Sequence, residues 1–133
     1  MIQRIQTLHL IFAAIIGIIT ISIAISTDNF GSKEQTLCQY AFVSTLSLVS
    51  VVDIWSVFLF TNRKRQMRVV CTSFIISLIG LAIVIVETIL ENNDFRQSCV
   101  LGSLVIAIAI LNILAHKRIR YDDNLVKSAD RLR

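Results

Sequence analysis

Few residues in this chain are placed to do chemistry, and Asp53 is the first of them. It lies inside an apolar stretch, Ala41 to Thr61, with Ser44, Ser47, Ser50 and Ser56 at multiples of three residues around it. An ionised carboxylate at the centre of a bilayer costs about 2.5–3.5 kcal/mol on insertion scales, so such a residue faces the interior of a bundle and needs a partner. Ser50 and Ser56 flank Asp53 by about one helical turn. Ser77, on a neighbouring run, falls at the same depth when residues are counted from the cation-bearing ends and is the expected donor. Two kinds of chemistry fit a carboxyl among hydroxyls. One is a site for a proton or cation in transit. The other is a neutral or hydrogen-bonded carboxyl that fixes helix packing or partner choice, and the lack of a second ionisable residue at that depth favours it.

The remaining reactive residue types are scattered. Cys38 and Cys99 stand at the starts of the second and fourth apolar runs, on the same side. In an oxidising compartment they could form a disulfide, worth about 4 kcal/mol on the chain-entropy estimate for so long a loop. Cys71 reads as a small packing residue. Thiol–quinone chemistry needs closely spaced redox pairs, and there is no C-x-x-C. His9 and His116 share a depth and could hold a haem or a metal, but no other residue supports this and no cofactor is expected. Asn112 either bridges helices or reaches the headgroups, and Glu87 is interfacial, with Arg96 in the following connection as a candidate partner. Hydrolase, kinase, phosphate-loop and zinc signatures are absent, so no enzyme is expected.

The elements that must position these residues are set by composition. The chain has 133 residues, 55% of them hydrophobic and 17% charged, with no proline. The apolar residues fall into runs without a polar face, at about 8–26, 41–61, 69–90 and 98–115. At about 1.5 Å per residue each run can cross a hydrocarbon core of about 30 Å. The expected fold is an all-α membrane protein, with four transmembrane helices in an up-down-up-down bundle over residues 1–118, and a short cytoplasmic amphipathic helix over 119–133. The first run, with Arg4 before it and Ala24-Ile25-Ser26 near its end, is longer than a signal-peptide core and is taken as a retained helix. Ala13 with Gly17, and Ser103 with Ala107, have the four-residue spacing that lets membrane helices approach closely. Eleven of the thirteen Lys and Arg residues lie in the N-terminal segment, the segment between runs two and three, and the tail. Only Lys33 and Arg96 lie in the other two connections, so both termini are expected in the cytoplasm, with 27–40 and 91–99 outside. The basic balance therefore points to anionic membrane lipids rather than nucleic acid.

In the tail, Leu125, Val126, Ala129 and Leu132 follow helical spacing, and Asp122 or Asp123 would start that helix. Leu125, Val126, Lys127, Arg131, Leu132 and Arg133 are the candidate residues for docking a lipid surface or a protein partner. The start Met1-Ile2-Gln3-Arg4-Ile5-Gln6-Thr7, the segment Ile119-Arg120-Tyr121-Asp122 and the end Leu125-Val126-Lys127-Ser128-Ala129-Asp130-Arg131-Leu132-Arg133 resemble a family of small four-span bacterial inner-membrane proteins with no assigned function. The resemblance implies a Gram-negative inner membrane, with a periplasmic outer side, and brings no catalytic residue or cofactor. The expected function is non-catalytic: an accessory protein that binds a membrane or cytoplasmic partner. The alternative is a small proton- or cation-coupled transporter centred on Asp53, working as a homo-oligomer.

Overall fold

The computed structural model describes residues 2–26, 33–59, 62–91 and 95–130. These form α1 (Ile2–Ser26), α2 (Lys33–Phe58), α3 (Arg63–Glu91) and α4 (Phe95–Asp130). Each helix is long and apolar enough to cross a membrane. Where no water is available, a helix is the only single-segment way to pair every backbone group. Hydroxyls inside the runs follow the same constraint. Thr20, Ser50 and Thr88 donate to the carbonyl four residues back, and Ser44, Ser47, Ser77 and Ser103 to the carbonyl three back, at 2.7–3.1 Å.

The helices outrun the apolar stretches. Hydropathy marks where lipid lies, whereas helical hydrogen bonding continues into the interface. Arg65 and Gln66 donate their backbone N–H groups to the Asn62 carbonyl at 2.9 and 3.0 Å. Lys64, Arg65 and Arg68 consequently belong to the first turns of α3 rather than to a connection. Among the described residues the expected C-terminal helix is not a separate element. α4 runs unbroken for 36 residues through Asp130, because nothing after Gly102 interrupts it and Ile119 and Asp122 are still buried. Asp122 is thus a mid-helix residue, not a helix start.

α1 packs against α2 and α4, and α3 packs against α2 and α4, which closes a ring. Residues late in one helix meet residues early in the next. Gln39 donates through Nε2 to the Ala24 carbonyl at 2.9 Å, and Gln66 through Nε2 to the Ser56 carbonyl at 3.1 Å. Both glutamines satisfy last-turn carbonyls that a helix leaves open. The ring also overturns the expected Cys38–Cys99 disulfide. α2 and α4 occupy opposite corners, and Cys38, Cys71 and Cys99 are all free thiols.

Buried positions recur with alternating steps of three and four: Leu10, Ala13, Gly17, Thr20, Ala24 on α1; Phe42, Leu46, Val49, Asp53, Ser56 on α2; Gln66, Val70, Ser73, Ser77, Gly80, Val84 on α3; Leu101, Val105, Ile108, Asn112, Ala115, Ile119, Asp122 on α4. This is the heptad seam of left-handed helix packing. The seam is mainly apolar but also carries Thr20, Asp53, Ser56, Gln66, Ser73, Ser77, Asn112 and Asp122, while Ile18, Trp55, Phe58 and Ile89 stand outward. Lipid is as apolar as leucine, so packing and interhelical hydrogen bonds, not hydrophobic burial, hold such helices together.

Close approach occurs at Gly17. A Cβ there would meet Ser50 Oγ and lie 3.9 Å from Ile108 Cδ1, so the missing side chain brings α1 onto both neighbours. The Ala13–Gly17 pair is therefore at a contact, whereas Ser103 faces outward. Gly17→Ala is expected to lower the thermal midpoint in detergent, at a cost of about 1–3 kcal/mol for overpacking. Adding Ser50→Ala should restore it. Gly102→Ala, with nothing within 4 Å of the added methyl, is the control and should be neutral or slightly stabilising.

Candidate functional site

Two apolar clusters fill the bundle. One contains Ala13, Leu46, Val49, Val105 and Ile108 among others, and the second contains Leu10, Val70, Ala115 and Ile119. Where they meet, three of the four helices present a polar side chain instead. Asp53 follows Val49 by one turn on α2, Ser73 follows Val70 on α3, and Asn112 lies between Ile108 and Ala115 on α4. α1 contributes only the methyl groups of Ala13 and Ala14 at the corresponding level.

These three side chains form one chain of hydrogen bonds across the bundle. Asn112 donates through Nδ2 to Ser73 Oγ at 3.1 Å, and Ser73 donates through Oγ to Asp53 Oδ1 at 2.6 Å. Asn112 and Asp53 thus engage the same Ser73 hydroxyl from opposite sides of its hydrogen-bonding capacity, one as donor and one as acceptor. All three residues are 0% exposed. Asp53 Oδ2 and Asn112 Oδ1 are buried acceptors with no donor among the described residues. Buried polar groups are ordinarily paired, so this pair of oxygens is the chemically informative feature of the molecule.

The residues expected around Asp53 have other partners. Ser77 donates to the Phe74 carbonyl at 2.7 Å, Ser50 to the Leu46 carbonyl at 3.1 Å, and Ser56 to the Asp53 backbone carbonyl at 2.9 Å. Each is buried, but none donates to the carboxyl. The residue opposite Asp53 is Ser73, one turn earlier on α3 than Ser77. The difference arises because α3 begins at Arg63, within the cationic segment that the hydropathy boundaries assign to a connection. Asn112 takes the bridging role of its two alternatives. Gln66, also buried, went unremarked as a site residue in the sequence, since it sits among cations. Its signal is a seam spacing of seven residues before Ser73.

The docking candidates fare unevenly. Leu125 is exposed on the last turns of α4. The side chains of Val126 and Lys127, and all of Arg131, Leu132 and Arg133, lie outside the described residues. Among the described residues no group of three or more His, Cys, Asp or Glu side chains is arranged to hold a metal.

The fold and this interior define the class: a four-helix, multi-pass membrane bundle with a buried polar bridge across its core. The chain belongs to a family described as a domain of unknown function (DUF4293), whose model matches residues 2–132. Neither a curated protein nor a solved structure matches it.

The bridge makes a direct comparison between two serines. Ser73→Ala removes the donor of Asp53 and the acceptor of Asn112 together, at an expected cost of about 1–3 kcal/mol in reversible unfolding from mixed micelles. Ser77→Ala loses only a bond to its own helix and is expected to cost about 0.5 kcal/mol or less. Equal effects of the two substitutions would mean that the bridge contributes nothing.

Proposed function

We propose that this protein is a non-catalytic accessory of the membrane, which binds a partner at its cytoplasmic face through the projecting end of α4. The bundle in this reading is up-down-up-down, in a bacterial inner membrane, with both chain ends in the cytoplasm. Support for the orientation comes from the cations: Lys64, Arg65 and Arg68 on α3 and Lys117, Arg118 and Arg120 on α4 are all exposed at the same end of the bundle.

The observation that carries the proposal is the continuity of α4. Its 36 residues extend for about 54 Å against a hydrocarbon core of about 30 Å, so the last turns project as a rigid arm. Lys117, Arg118, Arg120, Tyr121 and Leu125 are exposed along it. A rigid arm presents a docking face with little ordering cost on binding. Anionic lipid headgroups would hold its basic base against the membrane.

A second reading is favoured by the two buried acceptor oxygens at Asp53 and Asn112. It is a small proton- or cation-coupled transporter centred on Asp53, functioning as a homo-oligomer. The apolar clusters on either side of the bridge weigh against it, because water would need a way through one of them.

Two experiments separate these functions. Affinity capture of the natively expressed protein in mild detergent, with and without residues 123–133, should yield a stoichiometric partner that is lost on truncation. A homo-oligomer unaltered by truncation would remove the accessory function. In proteoliposomes, Asp53→Asn should leave proton flux unchanged; loss of a substrate-dependent proton flux in that variant would establish the transporter instead.

A further inference from the structure

The interior of the bundle poses a hydrogen-bonding problem that its own atoms leave unsolved. Ser73 and Asn112 bring three polar hydrogens, one hydroxyl and two amide. Asp53, Ser73 and Asn112 bring four side-chain oxygens, and two of these, Asp53 Oδ2 and Asn112 Oδ1, receive nothing. An unmade hydrogen bond at a buried acceptor costs more than the same bond gains when made. If the carboxyl is ionised, a full negative charge is added to that cost in a site 0% exposed.

Among the described residues the surroundings offer no countercharge. On α2, Asp53 is the only ionisable residue from Ala41 to Thr61. On α1, the residues at this level are Ala13 and Ala14, and the nearest ionisable group is His9, one turn beyond them and half-buried. On α3, Arg68 is more than one turn before Ser73 and exposed, and Glu87 lies toward the opposite end. On α4, His116 is one turn past Asn112 and half-buried. No Lys, Arg or His side chain among the described residues forms an ion pair with Asp53. A proton on the carboxyl is the smallest addition that would both remove the charge and supply one donor.

We propose that Asp53 binds a proton as a permanent structural ligand, carried on Oδ2 and donated to the Asn112 carboxamide. That single proton cancels the charge and engages both empty acceptors. It also makes the bridge a closed loop: Asn112 to Ser73, Ser73 to Asp53, Asp53 to Asn112. α2 and α4, at opposite corners of the ring, are thereby joined directly as well as through α3. An alkali cation is the poorer fit, because a dehydrated cation needs a full shell of oxygens in place of its water. Two buried side-chain oxygens without a donor among the described residues match one O–H···O contact. The proposal rests on neither functional reading above, since a proton can be held whether or not one is transported.

The test uses the full-length protein in lipid vesicles. Infrared difference spectra at neutral pH should show the carbonyl stretch of an undissociated carboxylic acid. It should vanish in Asp53→Asn, persist in Asp122→Asn (the other buried carboxyl), and move in Asn112→Leu, where the acceptor is gone. The second measurement is the thermal midpoint of Asp53→Asn. An asparagine at 53 supplies an N–H where the bound proton would be, so the midpoint should equal that of the wild type. A carboxylate band for Asp53 at neutral pH would overturn the proposal. So would an Asp53→Asn protein that melts well below the wild type or fails to fold, or a wild-type midpoint that rises with sodium or potassium at constant ionic strength.

Discussion

Everything inside this bundle answers to the absence of water. In a soluble protein a spare hydroxyl or carboxyl oxygen turns to solvent, but here each must find a partner among four helices. Most hydroxyls take the nearest available acceptor, a carbonyl one turn back on their own helix, and so contribute nothing between helices. Ser73 is the exception. Its hydroxyl leaves α3 to reach the Asp53 carboxyl, 2.6 Å away, and accepts Asn112 in return. That choice converts three local polar residues into one link running through α2, α3 and α4. The two apolar clusters then act as covers, keeping the link dry and giving its bonds the strength of a low-dielectric setting.

α1 takes no part in the link and has the opposite design. It meets its neighbours through Leu10, Ala13, Ala14, Gly17 and Ala24, mostly small residues, and its buried Thr20 hydroxyl is spent on the Ile16 carbonyl. Because lipid solvates apolar side chains as well as a neighbouring helix does, α1 is held mainly by closeness of fit, with the Gln39 bond to the Ala24 carbonyl near its end. The Gly17 approach to Ser50 is where that fit is tightest. The bundle thus has two kinds of seam: one bridged by side-chain hydrogen bonds among α2, α3 and α4, and a mainly steric one on either side of α1.

How much of this could be read from residues alone follows from the same physics. The runs were legible because an uninterrupted apolar stretch long enough to cross a membrane has few other uses. Asp53 was legible because its cost demands a reason, and Asn112 was legible as one of two alternatives. The face each helix turns inward was not, because lipid-facing and core-facing positions are both apolar and no amphipathic stripe distinguishes them. Without that stripe, depth had to be counted from apolar boundaries, which hide the first turns of α3. An error of one turn exchanged Ser77 for Ser73. The cysteine pairing failed for a different reason. Cys38 and Cys99 do lie at the starts of α2 and α4, but short connections make α2 the neighbour of α1 and α3, which leaves α4 on the far corner. That signal was present in the connection lengths. The continuity of α4 was hidden by the fall in hydropathy after Ala115, where the chain leaves the lipid without leaving the helix.

The two seams bear on function more directly than the identity of any one residue. For a proton or cation to pass through Asp53, water must reach the carboxyl from one side and then the other, so the cover of Leu10, Val70, Ala115 and Ile119 and the cover around Val49, Val105 and Ile108 must open in turn. Opening between α2, α3 and α4 breaks hydrogen bonds that hydrocarbon cannot replace, at about 1–3 kcal/mol for each buried group left unpaired. Opening along α1 breaks mostly van der Waals contact, which lipid restores in part, and the Gln39 bond to the Ala24 carbonyl at one end. A gated form of this molecule would therefore move α1 and leave the other three helices as a unit. The projecting arm belongs to α4, which lies inside that unit and is fixed to it by Asn112. A partner bound to the arm thus holds the part of the bundle least able to rearrange, as suits an anchor or scaffold better than a gate.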